Sequence, residues 1–197
     1  MKTSKLDPTI KEALKELFAL YEVLKGDANH FWQQEGESSN ERTRRAAVRS
    51  TFAFVEGMMF AAKQLVYAWE LELRGTLPWR SLAPKDRAWR ALLLEESYGL
   101  DEKGTPFVRS SKLELSTNVK FACDSLAAML RAPSPVDTSS LEWQAFKKSI
   151  RIRDRLMHPR TPHDLDMSSD EVLLVNRVYN WFHESIWAGF RLRQADA

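Results

Sequence analysis

The chain has 197 residues, 44% of them hydrophobic and 28% charged, with a formal net charge of +2. That length fits a single domain with a sizeable core, and near-neutral charge excludes a polybasic, histone-like protein, so any nucleic-acid binding must come from local clusters. A single cysteine, Cys123, excludes an intrachain disulfide, and only 7 glycines and 8 prolines favour long helices over a many-turned β fold.

The first predicted helix opens with Asp7 as cap and Pro8 at its first position. Ile10, Leu14, Leu17, Tyr21 and Leu24 fall on one face, and the pattern fades through Trp32 into the polar stretch QQEGESSNER, which reads as a loop. The second helix is the longest. Val48, Phe52, Val55, Met59, Ala62, Val66, Trp69 and Leu73 alternate steps of four and three, and Arg74-Gly75 ends it. Gly57 lies inside it and suits a close helix–helix approach or a tolerated defect. Glu56 stands beside the apolar stripe, as His183 does in the last helix, and each is a candidate polar partner.

A third helix is expected over 85–98, packed through Trp89, Leu92, Leu93 and Tyr98. The next segment, GLDEKGTPFVRSSKLELST near 99–117, is the least helical; its glycines, proline and KLELS alternation allow a short β-hairpin or an ordered loop. A helix over 117–131 follows, with Val119, Ala122, Leu126, Met129 and Leu130 as its stripe and Cys123 as a small buried hydrophobe. Two capping boxes then open two helices: Ser139 with Glu142 before Leu141, Ala145, Phe146, Ile150, Ile152 and Leu156, and Ser168 with Glu171 before Val172, Val175, Tyr179, Phe182 and Ile186. The expectation is one all-α domain spanning 1–197, a bundle of five to six helices.

Several chemistries leave no trace. There is no glycine-rich phosphate loop, dinucleotide fingerprint, GxSxG elbow, HExxH or cysteine pair, and no cofactor or metal is expected. His158 and His163 with Asp164 and Asp166 match no strong metal pattern. Without a signal-peptide pattern or an apolar run of about 18 residues, the chain reads as soluble and cytoplasmic, with no membrane partner.

The densest chemistry is RIRDRLMHPR at 151–160. On a helix, Asp154 and His158 are i and i+4 and share a face. From Lys147 to Arg160 there are six basic residues and one acid. Histidine as a residue type changes charge near neutral pH and moves protons. A guanidinium holds a phosphate through paired hydrogen bonds and stabilises the charge that develops during its displacement. RNA brings its own nucleophile, the 2′-hydroxyl, so an Arg/His pair suits metal-free cleavage leaving a cyclic phosphate. The same cations also favour a helix C-terminus through the helix dipole, which is a structural role alone.

Arg153-Asp154, three further residues, His158 and Pro159, late in an all-α chain and leading into one last long helix, resemble the HEPN superfamily (higher eukaryotes and prokaryotes nucleotide-binding). Its hallmark is an arginine, four to six residues and a histidine, often with a polar residue after the arginine; Arg151 gives a second register. The resemblance is best over about 139–190, and the 99–117 segment has no counterpart in the minimal family plan. It implies a small helical bundle and a metal-independent endoribonuclease in stress, defence or toxin–antitoxin systems. Two motifs, one per subunit of a homodimer, then form one cleft, with a cognate antitoxin or nucleotidyltransferase-like protein as a further partner. Carried over, Arg153 binds the scissile phosphate, His158 is the general acid/base and Asp154 fixes their geometry. Arg151, Arg155, Arg160 and Lys147 are the candidate RNA contacts. Other family members are non-catalytic and bind a nucleotide or a partner protein.

Arg42, Arg45 and Arg49, with Arg44 beside them, either extend an RNA-binding surface or form a solvated helix face. Trp143, Trp181 and Trp187 suit core or interface packing, with base stacking as the alternative.

Overall fold

The computed structural model describes residues 8–74 and 83–187. Among them are six α-helices and one two-stranded sheet: α1 Pro8–Glu37, α2 Glu41–Arg74, α3 Pro84–Leu93, β1 Glu96–Leu100, β2 Pro106–Ser110, α4 Leu115–Met129, α5 Leu141–Met157 and α6 Ser169–Trp181. The fold is an all-α bundle with a small hairpin. A 3₁₀ turn, Pro162–Leu165, joins α5 to α6, and α6 continues as a π-helical segment, Phe182–Trp187. No described helix is long and apolar enough to cross a membrane.

The bundle is organised around α2, which touches α1, α3, α4, α5 and α6. Its predicted stripe is buried from Val48 to Val66, and Phe54, Met58 and Leu65 are buried as well, because neighbours pack on several sides. Trp69 is half-buried; the side chain of Leu73 and all of Gly75 lie outside the described residues, as does the predicted cap Asp7. Gly57 allows the close approach of α1: a Cβ there would come within 2.5 Å of Leu24 Cδ1.

The α1–α2 connection is shorter than the polar sequence suggests. Helix α1 continues through Trp32, whose indole donates to Thr51 Oγ1 at 3.0 Å, and stops only at Glu37. Glu35 turns inward and accepts from Ser39 Oγ (2.5 Å), Thr43 Oγ1 (2.6 Å) and Arg44 Nε (3.3 Å). Burial opposes its charge, but the hydrogen bonds from Ser39, Thr43 and Arg44 and the Arg44 charge outweigh it and hold its pKa below the ordinary value. Asn40 then caps α2 by accepting from the backbone N–H groups of Arg42 (2.9 Å) and Thr43 (3.1 Å).

Helix α3 ends five residues before its predicted boundary of 98. Glu95 sits in the left-handed region (φ 53°) and breaks the helix, and Tyr98 becomes a strand residue, 51% exposed, rather than a packing residue. Leu92 is exposed too, and Leu93 is the buried anchor. The segment that allowed a hairpin forms one, with Tyr98 paired to Val108 and Gly99 to Phe107. It lies earlier than the KLELS alternation, whose Leu115 already opens α4. Asp101 and Gly104 (φ 76°) build its turn.

In α4, Val119, Ala122, Cys123 and Leu126 are buried, and burial pushes the Cys123 thiol up. The cap of α5 is Ser140, not Ser139: its hydroxyl accepts from Trp143 N–H at 3.1 Å, while Ser139 turns to Asp137 and Glu142 pairs with Arg177 of α6 at 2.7 Å. Leu141, expected in the α5 stripe, is exposed. The Ser168/Glu171 capping box closes in both directions. Trp143 and Trp187 are buried, and Trp143 meets Trp181 edge-to-face at 6.4 Å, so these aromatics pack the core.

Candidate functional site

Pro159 stops α5, and His158 becomes its exposed C-cap (φ −129°, ψ 55°), with its backbone N–H donating to Asp154 O at 3.0 Å. One turn earlier, Arg153 is 23% exposed and reaches across to α2, donating from Nη2 to Glu56 Oε1 at 2.5 Å and from Nη1 to Asp154 Oδ1 at 2.7 Å. Arg153, Asp154 and His158 together form one wall of a cleft of about 670 Å³. Glu56 and Phe60 of α2 form a second wall, and residues 110–115 behind the hairpin form a third.

Two residues of the cleft lining, Glu95 and Asn118, belong to a polar cluster that reaches into the core. Lys63, fully buried, is ion-paired with Glu95 and donates to Asn118 Oδ1 at 2.9 Å, and Asn118 Nδ2 donates to Glu95 at 3.1 Å. An ammonium out of water needs such a carboxylate and its hydrogen bonds. The cluster holds the strained Glu95, and with it the start of the hairpin, against α2. On the third wall, Glu114 caps α4. Hydrogen bonds from the Ser116 and Thr117 side chains, reinforced by their backbone N–H groups, outweigh burial and lower its pKa to about 2.

Four carboxylates line this cleft, from Glu56, Glu95, Glu114 and Asp154, against the cations Arg153 and Lys112. The cleft is therefore not basic. Two of the five guanidinium donors of Arg153 are engaged by Glu56 and Asp154, which fixes the plane of the fork. Among the described residues, no group of three or more His, Cys, Asp or Glu is placed to hold a metal ion. Asp164 instead accepts from the backbone of Arg160 (2.8 Å) and Thr161 (2.7 Å), and His163 lies 3.2 Å from Asp166.

The candidate RNA contacts lie elsewhere. Arg155 points to the α6 side, binding Asp166 O and Glu171 Oε1, each at 2.7 Å. Lys147, Arg151 and Arg160 are exposed and do not line the cleft. The arginines that start α2 fasten the last turn of α5 and the stretch after the motif: Arg49 to Leu156 O (3.0 Å), Arg45 to Leu165 O (3.3 Å) and Arg44 to Met167 O (3.0 Å). His183 sits 2.9 Å from Tyr21 Oη, away from the cleft lining. Sequence reasoning singled out Glu56 but missed Lys63, Glu95 and Asn118; a lone lysine in the apolar run FAAKQLV was the available signal.

Compared with known proteins, the chain matches no family model, no curated protein and no solved structure.

Proposed function

We propose that this is a HEPN-like, metal-independent endoribonuclease acting as a homodimer, in which Arg153 and His158 carry the reaction. The observation that supports this reading most is the meeting of Arg153, Asp154 and His158 on one wall of an open cleft, with the arginine oriented by two carboxylates and the histidine ring exposed. The 2′-oxygen attacks phosphorus, a 2′,3′-cyclic phosphate forms, and the bond to the 5′-oxygen breaks. His158 takes the 2′-hydroxyl proton or delivers one to the leaving 5′-oxygen. The remaining guanidinium donors of Arg153 stabilise charge on the phosphoryl oxygens. Because the cleft is rich in carboxylates, the phosphates on either side of the scissile bond rely on exposed cations along α5 and just past its end, Lys147, Arg151 and Arg160. A stress, defence or toxin–antitoxin role, with an antitoxin or nucleotidyltransferase-like partner, belongs to this same reading. The test is end-group analysis of single-stranded RNA incubated with the protein in EDTA: 2′,3′-cyclic phosphate termini are expected, and 3′-hydroxyl products or intact RNA would refute it.

One observation favours a second reading, a non-catalytic module that binds a nucleotide or a partner protein. Glu56 and Asp154 already compensate the Arg153 charge, and carboxylates outnumber cations in the cleft. Saturable nucleotide binding that His158→Ala leaves intact, with no RNA cleavage, would decide for it.

A further inference from the structure

We propose that the cleft beside Arg153 and His158 reads a guanine base, stacked on Phe60 with its Watson–Crick edge against the Glu95 carboxylate. The place of that base, next to the scissile phosphate, rests on the ribonuclease reading. Glu95 uses only one of its two carboxylate oxygens in the fold. Oε1 takes the Lys63 ion pair and accepts from Asn118 Nδ2 at 3.1 Å. Oε2 has no partner among the described residues, and the Glu95 side chain, which lines the cleft, keeps 31% of its surface in solvent. Anchoring the hairpin therefore leaves one oxygen over. The Glu95 backbone also lies in the left-handed region (φ 53°), and non-glycine residues held there cluster at ligand sites.

As the partner of an ammonium, the Glu95 carboxylate is an acceptor only, with two lone pairs open on Oε2. Of the four RNA bases, guanine alone carries two adjacent donors, N1–H and N2–H, on its Watson–Crick edge. Adenine and cytosine set a ring-nitrogen lone pair beside their amine, and the ring N–H of uracil lies between two carbonyls. Each of these three turns an acceptor toward the carboxylate, which repels it. Beside its donors guanine carries the acceptor O6. Lys112 lines the same cleft, is exposed and has no partner among the described residues, so its ammonium can donate to that oxygen.

Phe60 supplies the face for stacking. It lines the cleft and is 52% exposed. On α2 it stands three residues before Lys63 and four after Glu56, about one turn from each. Glu56 holds the Arg153 guanidinium, which marks the phosphate position. From Glu56 to Phe60 the helix rises about 6 Å, a span that one nucleotide bridges between its phosphate and its base. Stacking on an aromatic ring tolerates any base, so Phe60 gives affinity and Glu95 gives the choice. A carboxylate repels a phosphate but accepts from an uncharged base edge, so Glu95 suits the base and Arg153 the phosphate.

The test joins nucleotide binding to cut-site mapping, both on the full chain. Titration calorimetry compares the 3′- and 5′-monophosphates of guanosine, adenosine, cytidine, uridine and inosine. Inosine lacks the guanine N2 amine and probes Glu95 without a variant at that position, which would disturb buried Lys63. Cut sites are mapped on mixed-sequence single-stranded RNA in EDTA. In one of the two phosphate isomers, the guanosine nucleotide should bind about tenfold tighter than those of adenosine, cytidine and uridine. The inosine nucleotide should bind several-fold more weakly than the guanosine one. Phe60→Ala, at an exposed position, should weaken guanosine binding about tenfold, and cuts should fall beside guanines. Equal affinity across the bases, inosine bound as well as guanosine, binding indifferent to Phe60→Ala, or cuts that ignore guanine each overturn the proposal. Cutting of any pattern with cyclic phosphate ends keeps the ribonuclease reading. Guanine-selective binding with these responses and no cutting keeps the base site and removes that reading.

Discussion

Arg153 of α5 and Glu56 of α2, 97 residues apart in the chain, meet at 2.5 Å at the edge of the cleft that His158 lines. The pair orients the guanidinium more than it stabilises the fold, because Glu56 and Arg153 keep 41% and 23% of their side-chain surface in solvent. A double-mutant cycle of Glu56→Gln and Arg153→Gln in urea should return a coupling of about 0.5–1 kcal/mol. RNA cleavage by Glu56→Gln should fall about tenfold or more, out of proportion to that loss, since misplacing a catalytic group costs more in rate than in stability. A coupling of several kcal/mol, or unchanged cleavage, would contradict a positioning role.

Lys63 is the opposite case, fully buried and paired with Glu95 and Asn118. Glu95→Gln keeps the shape of the side chain but leaves the fully buried Lys63 ammonium without its carboxylate. Breaking such a pair from one side costs about 3 kcal/mol or more, and urea unfolding should show it. Hydrogen exchange should also quicken first in the hairpin amides, because Glu95 anchors β1. A loss below about 0.5 kcal/mol would mean the cluster does not anchor the hairpin.

At Gly57 the effect of an alanine substitution depends on Leu24. With Leu24 in place, a Cβ at position 57 meets Leu24 Cδ1 at 2.5 Å, so the leucine must turn aside and Gly57→Ala should gain little or nothing despite better helix propensity. In a Leu24→Ala background the clash is gone, and the same change should stabilise by up to about 1 kcal/mol. Thermal unfolding of the four proteins measures both; equal effects in the two backgrounds would contradict the close approach.

How much of this was legible follows from the kind of interaction involved. The α2 and α6 stripes declare themselves because a helix buried along its length repeats apolar residues every three or four positions, and the Ser168/Glu171 box is local chemistry four residues wide. The end of α3 was not legible: LEESYGL continues a helical pattern, and the contacts that hold Glu95 outside the helix, from Lys63, Asn118 and the Ser111 N–H, come from residues 16 to 32 positions away. Ser139 and Ser140 are both plausible caps, and Asp137 decides between them by engaging Ser139. The motif residues were singled out by their charge, their spacing and their resemblance to a family pattern. The wall that Glu56 and the 110–115 segment place opposite them was not, because nothing in local sequence shows which distant carboxylates share a cleft.

Acid should expose the role of Glu114. Its folded-state pKa of about 2 lies below the ordinary 4.5, so its contribution is present above the ordinary value and is lost as pH falls from there toward 2. Glu114→Gln should lose part of the α4 cap at neutral pH, about 1 kcal/mol. The difference between the two proteins should shrink steadily below pH 4.5. Thermal melts across that range measure it, and a gap independent of pH would contradict the assignment.

The most direct measurement compares cleavage of mixed-sequence single-stranded RNA in EDTA by the wild type and by His158→Ala. His158 is an exposed helix cap whose ring has no partner among the described residues, so the substitution should leave the fold intact. Cutting by the wild type, with a loss of about 100-fold or more in the variant at unchanged stability, is the predicted result. Equal cutting by both proteins, or no cutting by either as a verified dimer, would contradict catalysis at the end of α5.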